Sequence, residues 1–250
     1  MAYIRLTKAN VEVPLYDSHA LRLIKLPSFR RAKVGSSTVN WSGSVASIRA
    51  LRDVDLSLSE GDRVCVIGHN GAGKTTLLRT IAGIYPTSSG SLQISGKIFA
   101  LLGTSLVFNP DATGYENINL VASLYDWPTE RASEYIRDIE EFTELGEYLS
   151  LPTRIYSAGM QARLAFALAT LQPYGILLID EGIGALDSDF QEKAQARIHK
   201  LVGRTEILLL ASHSLELCRS LCNKALLMSK GEAIYLGQIE EAFARYAQVS

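Results

Sequence analysis

The chain has 250 residues, of which 47% are hydrophobic, and its formal net charge is −1. This length suits one large domain or two small ones, and the near-neutral total gives no support to non-specific binding of nucleic acid. Three cysteines, an odd number, and the lack of a recognisable secretory signal predict a reducing compartment. No apolar run approaches the roughly 20 residues needed to span a bilayer. We therefore expect a chain that is soluble or reaches a membrane only through a partner.

The N-terminal part is predicted to hold two strands, IRLTKANVEVPL, broken at Pro14, and SIRALRDVDLSL at 47–58. Between them the sequence predicts a short amphipathic helix at 20–26 and a Gly/Ser-rich loop at 34–47. From position 18 to position 52 there is no acidic residue, yet there are seven basic ones: Arg22, Lys25, Arg30, Arg31, Lys33, Arg49 and Arg52. This patch fits a solvated loop, or a surface that meets anionic lipid or a phosphorylated substrate.

The rest of the chain alternates between strands and helices, except for one helical block. Predicted strands lie at 63–68, 91–102, 175–180, 206–212 and 225–229. Predicted helices lie at 74–83, 189–202 and 214–221, with a last one within 237–248. The block from 115 to 171 is helical, and its last helix covers 159–171. This order predicts an α/β fold with a mostly parallel sheet and an inserted helical subdomain.

A glycine-rich motif, GHNGAGKTT at 68–76, separates a predicted strand from a predicted helix. It fits the pattern G-x-x-x-x-G-K-[ST] in its required strand–loop–helix context, so a purely structural role is improbable. The glycines let successive amide N–H groups wrap phosphate oxygens. Lys74 supplies positive charge for the β- and γ-phosphates, and the Thr75 hydroxyl can bind Mg²⁺.

Polar side chains follow two further predicted strands. ILLIDE ends in Asp180, expected to hold Mg²⁺ directly or through water, and in Glu181, expected to polarise a water near the γ-phosphate. Acids that end strands are often only solvated, but these lie downstream of a phosphate loop. His213 ends another strand and is expected to reach the γ-phosphate rather than to be structural, because ligands bind at the carboxyl ends of parallel strands.

A second candidate anion site opens the helix within YSAGMQARLAFALA at 156–169. Ser157 can cap this helix, and Ala158 and Gly159 allow a close approach to its exposed amides. No lysine follows that could hold a phosphate. Cys218 and Cys222, one helical turn apart, could bind a metal, but without two further ligands ordinary thiols are favoured.

These motifs, in this order, resemble those of the nucleotide-binding subunits of ABC transporters over essentially the whole chain. GHNGAGKTT resembles the Walker A loop, YSAGM the signature, ILLIDE the Walker B strand, ALD the D-loop and His213 the H-loop. The resemblance implies ATP hydrolysis with Mg²⁺ by a head-to-tail homodimer. In such a dimer the signature of one subunit faces the γ-phosphate held by the Walker A loop of the other.

The resemblance also implies which residues contact the nucleotide. Those in the Walker A loop are Gly68, His69, Asn70, Gly71, Ala72, Gly73, Lys74, Thr75 and Thr76. Those in the signature are Ser157, Ala158, Gly159 and Met160, with Asp187 in the D-loop. Tyr16 is the preferred aromatic residue for stacking on adenine, with Tyr3 and Trp41 as alternatives. The alignment places Gly103 at the Q-loop, where a coordinating side chain is usual, so Thr104, Ser105 or water would replace it.

YSAGM, with methionine where many members have glutamine, is similar to the subgroup that exports O-antigen, capsule, teichoic acid or galactan. The segments NPDATGYENI and IEEFTELGEYL, and the insertion at about 16–47, also resemble this subgroup. This implies export of a lipid-linked polysaccharide through an integral membrane permease, with the ATPase at the cytoplasmic face of the membrane. Because some relatives carry a C-terminal carbohydrate-binding domain that this sequence lacks, we expect the chain not to select the glycan end by itself.

The predicted organisation is one ABC ATPase domain over 1–250. Its catalytic core comprises about 1–108 and 172–250 with an antiparallel N-terminal β subdomain, and its helical subdomain comprises about 109–171. Two alternatives stay open: another ABC transporter, such as an importer or a lipoprotein exporter, and an ABC ATPase acting on DNA or ribosomes. The neutral charge and the lack of long coiled coils or a second cassette disfavour the last, so no nucleic-acid partner is expected.

Overall fold

The computed structural model describes residues 1–14, 33–34, 37–42, 45–102, 109–171, 174–180 and 188–248. Five strands form an antiparallel sheet in the order β2-β3-β4-β1-β6. They are β1 (Tyr3–Pro14), β2 (Lys33–Val34), β3 (Ser37–Ser42), β4 (Val45–Ser59) and β6 (Ser89–Ser95). Ile4 and Leu6 of β1 pair with Leu58 and Leu56 of β4, and all four side chains are buried, so one face of the sheet is apolar.

The prediction of a loop at 34–47 is wrong, because this segment contributes β3 and the start of β4. Val39 pairs with Ile48 and Trp41 with Ala46 in an antiparallel hairpin. Valine, threonine and tryptophan favour strands, and a ladder of backbone hydrogen bonds outweighs the turn preference of the surrounding glycines and serines.

Six strands form a second sheet in the order β11-β10-β5-β9-β8-β7, parallel except for the edge pair β10–β11. They are β5 (Arg63–Ile67), β7 (Ile98–Leu102), β8 (Ile176–Asp180), β9 (Ile207–Ala211), β10 (Lys224–Ser229) and β11 (Glu232–Gly237). The sequence did not predict β11. The predicted strand at 91–102 is two strands in different sheets, separated at Gly96 by a backbone φ of +118° that favours glycine.

The helices are α1 (Lys74–Ile81), α2 (Gly114–Leu124), α3 (Ala132–Thr143), α4 (Ala158–Thr170), α5 (Ser188–Val202), α6 (Leu215–Leu221) and α7 (Ile239–Gln248). A capping box starts α2: the Thr113 side chain accepts from the Glu116 amide at 3.1 Å, and the Thr113 amide donates to the Glu116 carboxylate at 2.7 Å. No helix within the described ranges is long and apolar enough to cross a membrane.

The parallel sheet is the middle layer, because its strands bury both faces. Along β8, Ile176 and Leu178 join the core shared with α1 and the antiparallel sheet, whereas Leu177 and Ile179 join the core beneath the helical block. A strand buried on both faces is expected to be a continuous apolar run, as ILLI is. This arrangement leaves the strand ends as the places where polar side chains can gather.

Candidate functional site

The glycine-rich motif forms a loop between β5 and α1, as predicted. Nζ of Lys74 donates to the carbonyl oxygens of Gly68, at 2.6 Å, and of His69, at 3.3 Å. The Lys74 residue is only 7% exposed. Its charge is thus held inside the loop at the start of a helix, an arrangement that suits a phosphate group.

Two positions of the loop admit only glycine. At Gly68 an added Cβ would collide with the carbonyl oxygen of Met228 in β10. Gly73, with a φ of +104°, would place a Cβ 3.1 Å from the carbonyl oxygen of Ala50 in β4. The close fit of the loop between both sheets therefore depends on the missing side chains.

Gly231, which follows β10, connects the phosphate loop to the antiparallel sheet through two backbone hydrogen bonds. Its amide donates to the carbonyl of Ala72 at 2.9 Å, and its carbonyl accepts from the amide of Arg52 at 2.8 Å. The sequence analysis did not identify Gly231 as part of the site. A Lys-Gly pair after a predicted strand indicates only a turn. Its contact with the phosphate loop joins residues more than 150 positions apart in the chain, so no local pattern reveals it.

The sheet order brings the other polar strand ends towards this loop. In β9, Ala211 lies between Val66 of β5 and Asp180 of β8 in the parallel register. His213 follows β9 by two residues, and its Nε2 lies 3.2 Å from Nζ of Lys74. In a hydrogen bond between these two groups the ammonium is the donor, because it has no acceptor atom. His213 is thus in direct contact with the lysine of the phosphate loop, and its contact with the γ-phosphate stays a prediction.

Asp180 and Thr75, the predicted metal ligands, are both half-buried, one at the end of β8 and the other in the first turn of α1. A carboxylate and a hydroxyl are the hard oxygen ligands that Mg²⁺ prefers, and Mg²⁺ usually takes its remaining ligands from water and nucleotide phosphates. The residues present therefore fit this ion. No group of three or more metal-ligating side chains occurs in the part of the chain that the structure describes.

The YSAGM segment leads into α4 and forms its first turn. Ser157 caps the helix, its Oγ accepting from the amide of Met160 at 3.2 Å. Tyr156 is 6% exposed and donates to the carbonyl of Tyr148 at 2.6 Å, which anchors the turn before the helix. Ser157 and Ala158 are exposed, whereas Gly159 and Met160 are half-buried. The helix start is thus rigidly held yet open to an anion from outside.

Several predicted residues lie outside the described part of the chain: Tyr16, Gly103, Thr104, Ser105, Glu181 and Asp187, together with the side chain of Trp41. Tyr3, an alternative for adenine stacking, pairs with Ser59 of β4. Ser59 is nine residues further along β4 than Ala50, the residue whose carbonyl lies against the phosphate loop. At about 3.3 Å per strand residue this places Tyr3 roughly 30 Å from the loop, too far to stack on a nucleotide held there.

The three cysteines lie together beneath α7, with Cys65 and Cys218 fully buried. Hydrogen bonding to Cys65 and burial raise the pKa of the Cys218 thiol far above its usual range. A thiol held in its neutral form is a poor nucleophile and a poor metal ligand; the expectation of ordinary thiols at these positions stays a prediction.

Tyr246 of α7 also reaches the loop, which the sequence analysis missed. Its ring centroid lies 4.7 Å from that of His69, at an interplanar angle of 40°. His69, Asn70, His213 and Tyr246 line an open pocket of about 620 Å³. The apolar residues of α7 recur at helical spacing, which predicts a helix with one buried face: Ile239, Ala242, Phe243 and Tyr246. Nothing in this local pattern indicates that the helix contacts the phosphate loop.

A glycine-rich phosphate loop, a histidine that follows β9 and contacts the loop lysine, and a carboxylate at the end of the neighbouring strand β8 define the class of phosphate-loop nucleotide-binding proteins. Within this class, the family model described as ABC transporter matches residues 51–184. The chain belongs to the ABC transporter family and is one of its ATP-binding ATPases.

Curated relatives point to a subgroup of this family. The chain is 40% identical over 222 residues to the O-antigen export system ATP-binding protein RfbE of Yersinia enterocolitica, covering 89% of this chain and 92% of that protein. It is 32% identical to the capsule polysaccharide export ATP-binding protein CtrD of Neisseria meningitidis, covering 78% and 89%. It is 37% identical to the O-antigen export protein RfbB of Myxococcus xanthus, covering 83% of this chain and 47% of RfbB.

Solved structures support the fold. An ATP-binding subunit of an ABC transporter superposes with a TM-score of 0.70 at 20% identity, covering 98% of this chain and 93% of that one. A dimeric ATP-binding cassette in a post-hydrolysis state with ADP and Pi superposes with a TM-score of 0.68 at 20% identity, covering 94% and 98%. The α/β fold with an ABC ATPase core is therefore confirmed.

Proposed function

We propose that two copies of this chain bind two ATP molecules head to tail and use them to drive export of a lipid-linked polysaccharide through a membrane permease. The observation that carries the ATPase part is the contact of Lys74 with His213, because it joins the phosphate loop to a histidine that follows the neighbouring strand β9. The polysaccharide part is supported by relatives named for O-antigen and capsule export. The ATPase would lie at the cytoplasmic face of the membrane, attached through the permease.

In the proposed site, Lys74 and the loop amides bind the β- and γ-phosphates, and His213 stabilises the γ-phosphate. Thr75 and Asp180 would hold Mg²⁺, which when bound supplies positive charge that neutralises the phosphates. Glu181 positions or deprotonates the attacking water. The role of these groups is mainly positioning and electrostatic stabilisation of a transferring phosphoryl group.

The signature supplies the second half of each site. Ser157 and Gly159 begin a helix with exposed amides but no neighbouring lysine, whereas Lys74 begins another helix on a different layer of the fold. A composite site between two copies explains both features, since one copy would contribute the lysine and the other a helix N-terminus facing the same γ-phosphate. A symmetric dimer would then hold two equivalent sites.

Subunit mixing tests this composite site. Lys74→Met disables the phosphate loop and Ser157→Arg disables the signature, so each variant alone should be inactive. A mixed dimer contains one site with the intact loop of one copy and the intact signature of the other, and mixing should restore ATP hydrolysis. If mixing restores nothing while co-purification of two differently tagged variants shows that mixed dimers form in ATP, Ser157 does not act across the interface.

A trapped variant tests the export role. Glu181→Gln should bind ATP, nearly lose turnover and hold the closed dimer. Purified from its native membranes with ATP, it should retain a multi-span integral membrane protein together with lipid-linked glycan; the same variant prepared with ADP is the control. Ribosomes, DNA or a soluble assembly in its place would overturn the export role and leave the ATPase activity. Normal turnover would remove Glu181 from its role.

A further inference from the structure

A contact between α7 and the phosphate loop has no role in the site described so far. The ring of Tyr246 stacks at a tilt on the imidazole of His69, and its hydroxyl lies 3.5 Å from Nδ1 of that imidazole. The two residues are 177 positions apart in the chain. Aromatic pairs at this separation are attractive beyond the apolar area that they bury.

His69 holds a central position in the loop. Its carbonyl oxygen accepts from the amide of Ala72 at 3.0 Å, which closes the turn of the loop. The same oxygen lies 3.3 Å from the ammonium of Lys74. Whatever restrains His69 therefore restrains both the shape of the loop and the lysine that meets the phosphates.

The helix that presents Tyr246 is firmly placed. Ala242 is fully buried, and Ile239, Phe243 and Tyr246 pack with it on a core that includes Cys65 and Ile67 of β5, the strand that leads into the loop. Outside this core, the guanidinium of Arg219 in α6 forms a bidentate ion pair with the carboxylate of Glu240, with N–O distances of 2.6 and 2.7 Å. The ring of Tyr246 thus belongs to a rigid support rather than to a loose end.

We propose that Tyr246 is a positioning residue for ATP binding, acting through His69 to hold the phosphate loop in its binding shape. This inference rests on the proposed ATPase function of the same site. A loop that is already ordered loses less conformational entropy when it binds its ligand, so removal of the restraint weakens binding. The restraint is the same before and after the chemical step, so it affects the affinity for ATP rather than the turnover of bound ATP.

The test measures KM and kcat for ATP in the full chain. Tyr246→Ala removes the ring and should raise KM about three- to tenfold, the range expected for one aromatic pair, with kcat nearly unchanged. Tyr246→Phe keeps the ring and should restore a KM close to that of the unaltered chain. Ile239→Ala is the matched control, because it loosens the same helix on the same core about two turns away from Tyr246.

The outcomes are distinct. An unchanged KM in Tyr246→Ala, or an equal rise in Ile239→Ala, would overturn the proposal, the latter by showing that general docking of α7 is responsible. In a double-mutant cycle, His69→Ala should abolish the effect of Tyr246→Ala, and additive effects would contradict action through His69. Failure of the unaltered chain to bind ATP would instead refute the proposed function.

Discussion

Replacing Gly231 by alanine should destabilise the protein and open the phosphate loop. Gly231 has a φ of +85°, and an added Cβ would lie 2.6 Å from the carbonyl oxygen of Ala50. The left-handed conformation costs a residue with a Cβ about 1–2 kcal/mol. The clash is with the backbone of Ala50 and Leu51 in β4, which cannot rotate away as a side chain could, and it adds about 1–3 kcal/mol, as other overpacked sites do.

The variant Gly61→Ala separates the cost of the left-handed conformation from the cost of the clash. Gly61 has nearly the same φ, +89°, but no atom lies within 4 Å of an added Cβ. It should therefore show only the conformational cost, and the difference between the two variants measures the clash. Urea unfolding gives both free energies of unfolding, and thermal melts should show a drop of roughly 2–4 °C for each kcal/mol in a chain of this size.

The affinity for ATP should also differ between Gly231→Ala and Gly61→Ala. Moving Gly231 displaces the amide that donates to Ala72 of the loop at 2.9 Å. The affinity for ATP, measured by calorimetry, should fall in Gly231→Ala and stay unchanged in Gly61→Ala. Equal losses of stability in the two variants, with ATP affinity unchanged in both, would refute the reasoning that the loop depends on this close approach.

Three further predictions concern a lysine, a helix cap and a carboxylate. Lys74→Met keeps the aliphatic stem of a residue that is 7% exposed but removes its charge, so the Kd for ATP should rise at least about tenfold; an unchanged Kd in calorimetry would exclude Lys74 from phosphate binding. Thr113→Ala removes the capping box of α2 and should cost about 1 kcal/mol of stability. Ser123→Ala, an exposed position of the same helix, serves as its control in urea unfolding. The hydrogen bond from the Thr113 amide holds the pKa of Glu116 below its ordinary value of 4.5. Its folded pKa is therefore depressed, and the stability it contributes is present above about pH 4.5 and is lost as the pH falls through the folded pKa. Glu116→Gln should flatten this part of the stability profile, and an unchanged acid limb would show that Glu116 does not contribute to it.

Much of the fold follows from local pattern. Apolar runs such as RVCVI and ILLID correspond to β5 and β8, because strands buried on both faces must be apolar throughout. The loop at 68–76 and the cap at Ser157 were predicted by spacing and residue type alone, since amides at a helix start and a lysine are what a phosphate requires. The domain boundaries and the roles of all the site residues remain predictions, including those of Glu181, Asp187 and Tyr16, which lie outside the described residues.

The tertiary structure decided what no local pattern contains. Whether the segment at 37–42 forms a strand depended on β4 being available to pair with it. The split at Gly96 depended on the two halves of the predicted strand pairing in different sheets, β6 with β1 and β7 with β8. The contacts of Lys74 with His213, and of His69 with Tyr246, join residues more than 130 positions apart. The sequence by itself specified which groups could bind ATP, because their chemistry is local. Only the order of strands and the docking of α7 decided which of them meet, because those are set by packing over the whole chain.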